Sequence, residues 1–168
     1  MLLFSGLLAC LMLAVIYYDV TRYLIPNWLV GLVLLLYPAM VLLAPEANID
    51  WQKALAASAM VFAVGYLIFM LRAMGGGDIK LMTACSLWAG MEGLLEYFLA
   101  VAVAGGLLSV VLLILRPVMP QWLARLPGER KIPRVLTMGE PVPYGLAIAV
   151  AFLWMLWAGK LPGLPALV

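Results

Sequence analysis

The chain is built from long apolar runs separated by short polar breaks. A bilayer takes roughly 17 to 25 apolar residues per helix, and runs of that kind fall at about 2–18, 26–44, 54–71, 79–95, 94–115 and 144–159. The fourth and fifth run together, so a turn is predicted near "MEGLLE", residues 91–96. The fourth is the shortest in its clean apolar part, 81–91. Pro38 lies inside the second and is expected to kink or loosen it. Neither a repeat at fixed period nor a low-complexity tract interrupts the pattern. The expectation is an all-α bundle of about six transmembrane helices forming one domain over residues 1–168.

Composition agrees. Hydrophobic residues make up 67% of the chain and charged residues 11%, with mean hydropathy +1.14. Soluble domains carry about a quarter charged residues. The placement of charge says more than its net value of +2. Arg22, Arg72, Lys80, Arg116, Arg125, Arg130, Lys131 and Arg134 fall in one set of breaks; Lys53 and Lys160 fall in the other. By the positive-inside rule the first set is cytoplasmic, and both termini face outward. The break at 116–143 reads as a membrane-surface loop, with an amphipathic segment around "QWLARL" whose Trp122 and Leu123 enter the interface. Trp28, Trp51, Trp88, Trp154 and Trp157 read as belt or packing residues. "LLAC", Leu7 to Cys10, looks like a lipoprotein cleavage box. It lacks a preceding basic region, and the apolar run continues to Tyr18, so a plain spanning helix is expected there.

The chemistry is bounded by what the chain lacks. It has no histidine, which removes Ser-His, Cys-His and His-ligated metal chemistry. Its two cysteines, Cys10 and Cys85, form no CxxC pair, so neither a zinc site nor a disulfide framework is expected. No metal, cofactor or nucleic-acid partner is predicted. Ser5, Ser58, Ser86 and Ser109 have no imidazole to activate them. A Ser86–Lys80 dyad is conceivable, but Lys80 reads better as a chain snorkelling to lipid headgroups.

Among the acids, Glu46, Asp50, Glu92, Glu96, Glu129 and Glu140 fall in loops and turns and read as solvated or interfacial charge. Asp19, after the first span in "YYDVTRYLIPN", and Asp78, before the fourth in "GGGDIK", both stand at the cytoplasmic membrane edge. Each has an ordinary explanation. Asp78 would suit a helix N-terminus, where the dipole favours an anion, and Asp19 could pair with Arg22 three residues on. Gly75, Gly76 and Gly77 shift the balance. They free the backbone and allow close approach, and non-helical chain at membrane depth is tolerated only in protein or against a wet cavity. Two aspartates meeting at such a cavity cannot both ionise easily and share a proton. One can then take a proton from water while the other polarises a peptide carbonyl. That is aspartyl proteolysis.

Three segments carry a resemblance. "GGGD", Gly75 to Asp78, with the following "IKL", resembles the GxGDxKL pattern of type IV prepilin peptidases, a GxGD aspartyl protease family. "DVTRYLIPN", Asp19 to Asn27, is similar to that family's first motif: an aspartate, a basic residue, then Ile-Pro-Asn. "PVPYGLAIA", Pro141 to Ala149, is similar to its Pro-Tyr-Gly segment at the last span. The resemblance implies an endopeptidase of the bacterial inner membrane that cuts the basic leader from prepilins on the cytoplasmic side. It implies Asp19 and Asp78 as the catalytic pair and Gly75 and Gly77 as motif glycines. Gly76, Lys80, Arg22, Pro26, Asn27, Pro143, Tyr144 and Gly145 follow as motif or substrate-contacting positions. Pro26 and Pro143 are also suited to open helices. Arg22 either orients Asp19 or meets lipid phosphate.

The larger family members carry a cytoplasmic insertion with paired cysteines and often methylate the new N-terminus. This chain shows neither, which argues against methyltransferase activity. The short form looks most like the peptidases of tight-adherence (Flp-type) pili, with archaeal preflagellin peptidases as a second possibility. The implied partners are a prepilin and the lipid bilayer. Two other function classes stay open: a small proton-coupled transporter, and a non-enzymatic assembly factor of a pilus or secretion machine.

Overall fold

A computed structural model describes residues 1–45, 49–123 and 134–166, with side chains outside 120–123. The described residues contain five α-helices and a 3-10 turn at Arg134–Leu136, and no strand. The helices are α1 (Leu2–Arg22), α2 (Asn27–Leu43), α3 (Trp51–Met70), α4 (Gly76–Leu123) and α5 (Tyr144–Trp157). Three stretches, Leu2–Arg22, Trp51–Met70 and Gly76–Met119, are long and apolar enough to cross a membrane by length and composition.

The expectation of six helices is corrected to five. The predicted fourth and fifth spans lie in one element, α4, broken at Gly90. Gly90 has φ 64° and ψ −178°, a conformation essentially confined to glycine. The chain reverses there. Gly77 packs on Ile25 and Gly105 on Tyr144, at one end of the molecule, while Gly93, between them, packs on Met155 near the other. The two arms of α4, 76–89 and 91–123, are therefore antiparallel. The turn falls at Gly90, one residue before the predicted "MEGLLE", because glycine alone takes this backbone without strain. α2 runs without interruption through Pro38, so the expected disruption does not end the helix.

The core forms where α1, α2, α5 and the first arm of α4 meet. Leu8, Met12, Leu29, Val33, Leu81, Cys85, Ile148 and Phe152 are fully enclosed. Trp88 ties α2 to α4: its Nε1–H donates to Val33 O at 3.0 Å, and its ring stands edge-on to Tyr37 at 5.2 Å. A second cluster, Ala57, Val61 and Leu94, joins α3 to both arms. Lipid tails are as apolar as leucine, so helices in a membrane associate through close packing and small residues. Gly65 of α3 meets α4 in this way; a Cβ there would lie 2.7 Å from Ile79 Cγ2. Thr83 O adds a polar tie, accepting from the Ser58 hydroxyl at 2.9 Å and the Ser86 hydroxyl at 2.8 Å.

Charge divides between the two ends. Near α1's C-terminus lie Arg22, Arg72, Lys80, Arg116 and Arg134. At the opposite end Lys53 pairs with Asp50 at 3.0 Å and approaches Glu92 at 3.9 Å, and Lys160 pairs with Glu96. Glu46, Arg125, Glu129, Arg130, Lys131, residues 124–126 of the "QWLARL" segment and the side chains of Trp122 and Leu123 lie outside the described residues.

Candidate active site

Three chain segments build one cavity at the arginine-rich end. α1 runs on to Arg22 and stops at Tyr23, which takes a left-handed conformation (φ 53°, ψ 35°) and turns the chain toward Pro26, the N-cap of α2. Asp19 sits in the last turn of α1 and is only 5% exposed. Asp78 sits in the first turn of α4. Pro143 is the N-cap of α5. The cavity, about 890 Å³, is lined by both aspartates and by residues of all three segments.

Asp19 is held from across the bundle. The backbone N–H of Leu146, in the first turn of α5, donates to its Oδ2 at 2.8 Å. A helix N-terminus presents unsatisfied N–H groups and the positive end of the dipole, so a carboxylate is welcome there. Gly145 makes the approach possible. A Cβ at Gly145 would stand 2.9 Å from Asp19 Cγ and 2.8 Å from Ile25 Cδ1.

Asp19, Asn27, Gly75, Gly76, Gly77, Asp78, Lys80, Pro143 and Tyr144 all line the cavity, and Gly145 backs Asp19. Arg22 does not line it; its guanidinium lies over the Tyr18 ring at 5.1 Å, so the Asp19–Arg22 pair is not formed. Pro26 shapes the entry to α2 without facing the cavity. Lys80 Nζ donates to Asn27 Oδ1 at 3.1 Å, which links the first and second motifs. Ser86 is fully buried and bonded to Thr83 O, so no Ser86–Lys80 dyad exists.

The glycine triplet works differently from expectation. None of Gly75, Gly76 and Gly77 takes a positive φ, and the last two are already helical. The useful property is their missing side chains. A Cβ at Gly75 would lie 3.0 Å from Asp78 Oδ2, so a glycine there leaves that carboxyl room in the cavity.

Tyr23 and Pro141 also line the cavity and were not singled out as site residues. The Tyr23 hydroxyl is buried with no hydrogen-bond partner among the described residues, and Arg134 lies over its ring at 5.6 Å. Burial pushes the Tyr23 phenol above its ordinary pKa, with Arg116 opposing. Its only signal in the sequence is adjacency to "DVTR". A separate apolar groove of about 400 Å³, between α3 and the arms of α4, shares Ile68 and Met74 with this cavity.

The fold and the site together define a helical membrane protein with a paired-carboxyl cavity at one end of its bundle. The chain belongs to the type IV leader peptidase family, whose model matches residues 6–110. That match includes both aspartates and excludes the Pro141–Gly145 segment. The chain is also similar to the prepilin peptidase EppA of Methanothermobacter thermautotrophicus, at 40% identity over 85 residues, 48% of this chain. Those residues span 21% of the length of that curated relative. No solved structure matches.

Proposed function

We propose that this chain is an aspartyl endopeptidase that removes the basic leader of prepilins at the cytoplasmic face of the bacterial inner membrane. The observation that carries this reading is the meeting of Asp19 and Asp78 on one cavity wall system. Family membership supports it from a separate direction.

In the proposed reaction the two carboxyls share one proton, since like charges at close range disfavour double ionisation. The ionised member takes a proton from water as the water oxygen attacks the scissile carbonyl carbon. The protonated member gives its proton to the carbonyl oxygen. The tetrahedral intermediate then collapses, the C–N bond breaks, and the leaving nitrogen takes up a proton. The leader keeps the new carboxylate and the pilin keeps the new amine. The wall glycines leave room for a substrate backbone beside Asp78. The sidedness follows from the arginines gathered at the cavity end, which also leaves both termini outside. Among prepilins, we take the Flp-type as the proposed substrate class.

The test is leader release in vesicles from purified Flp-type prepilin, archaeal preflagellin and a longer type IV prepilin, with products identified by mass spectrometry. The Flp-type leader should be cut fastest, at a single bond. Cutting of another substrate in preference would overturn the Flp assignment, and cutting of none would overturn the peptidase reading.

A further inference from the structure

Arg116 lies near the end of the second arm of α4, and its guanidinium is committed to backbone. Nε donates to Val135 O at 3.1 Å, and Nη2 donates to Pro141 O at 2.8 Å. Both carbonyls belong to the segment that leads from the 3-10 turn into α5. A planar guanidinium presents its donors in a fixed fork, so one side chain sets the positions of two points along that segment. A second fastening acts beside it. Arg134 pairs with Glu140 at 3.2 Å and covers the ring of Tyr23.

The segment ends where the site begins. Pro141, Pro143 and Tyr144 line the cavity, Pro143 caps α5, and the Leu146 N–H reaches Asp19 Oδ2 at 2.8 Å. A continuous chain of contacts thus runs from Arg116 through Pro141 and the first turn of α5 to the Asp19 carboxyl. Gly145 leaves little slack in it, because Asp19 and Ile25 already occupy the space a Cβ would need.

We propose that Arg116 is a positioning residue for Asp19. By holding Val135 O and Pro141 O it fixes the entry to α5, and the first turn of α5 then orients the Asp19 carboxyl. Its effect on the reaction rests on the catalytic role proposed for Asp19; its effect on α5 does not. The plain alternative is a basic residue that only anchors the chain at the headgroups. An anchor would accept lysine and would leave α5 undisturbed.

The experiment compares wild type, Arg116→Ala and Arg116→Lys in vesicles with two readouts. Hydrogen exchange followed on peptides covering 141–150 reads the first turn of α5. Steady-state cleavage of a prepilin reads kcat and KM separately. Small misplacements of a reacting group cost up to about 100-fold. Arg116→Ala should speed exchange at 143–149 while α1, α2 and α3 exchange as in wild type, and should lower kcat at least about 10-fold with KM within about twofold. Arg116→Lys, which keeps charge but loses the fork, should fall between. Wild-type exchange at 143–149 in Arg116→Ala overturns the proposal, as does a raised KM with unchanged kcat, or wild-type behaviour of Arg116→Lys in both readouts. If Arg116→Ala loosens every helix, Arg116→Lys decides. Should Asp19→Asn still cleave, the function reading fails, and the exchange readout still decides whether Arg116 holds α5.

Discussion

The aspartates at the two ends of the bundle are treated in opposite ways. At one end Asp50 accepts from the Lys53 backbone N–H and pairs with its ammonium, and Lys160 pairs with Glu96. Lys53 holds the Asp50 carboxyl below the usual carboxylate range. At the other end, which is richer in arginine, neither Asp19 nor Asp78 forms an ion pair among the described residues. Cations there have other partners: Arg22 a tyrosine ring, Arg116 two carbonyls, Lys80 Asn27, and Arg134 the carboxylate of Glu140. A carboxylate fixed to a cation is a poor proton carrier. Cations turned away from Asp19 and Asp78 leave both carboxyls without an ion pair, as the proposed proton transfer requires.

The largest effect should come from removing either member of the unpaired set. Asp19→Asn and Asp78→Asn should each lower leader cleavage by about 100-fold or more, the range expected for a general acid or base. Both variants should insert at wild-type levels, as read by membrane fractionation. A smaller loss, about 10- to 100-fold, is expected for Gly145→Ala, because the new methyl would displace Asp19 from its place at α5 and a displacement near 1 Å is that costly. Quantified cleavage rates would show it, with protein level held near wild type.

Gly90→Ala tests the reversal rather than the site. Forcing alanine into this backbone costs about 1–3 kcal/mol, so the variant should unfold at lower temperature in detergent while the folded fraction still cleaves. The smallest effect belongs to the paired end. Lys160→Ala breaks a partly exposed pair, and such pairs contribute little; its cleavage rate should match wild type within about twofold. A large loss there would erase the contrast between the two ends.

Much of this arrangement was legible in the sequence. Asp19 and Asp78 stood out because an acid beside an apolar run is rare and local, and the Pro143–Gly145 segment through its likeness to a family motif. The meeting of the two aspartates followed from their place at the ends of spans; that the Pro141–Tyr144 segment joins them was visible only in the structure. Other features were hidden for physical reasons. The reversal was expected at 91–96 and falls at Gly90, but the helix count is five because the two arms join there as one element, α4. Arg116 looked like one more interfacial cation, since its partners are carbonyls 19 and 25 residues away and any residue supplies a carbonyl. Spacing along one helix allowed Asp19 a pair with Arg22, whereas the first turn of α5, 127 residues on, holds it instead.

The central claim is that Asp19 and Asp78 act as one unit. The most direct measurement is the residual single-turnover cleavage rate of Asp19→Asn, Asp78→Asn and the double variant in the same vesicles. Residues that act together are strongly non-additive. The account predicts that the double variant cleaves about as slowly as the slower single variant. Losses that multiply in the double variant, or a single variant within about tenfold of wild type, would contradict it.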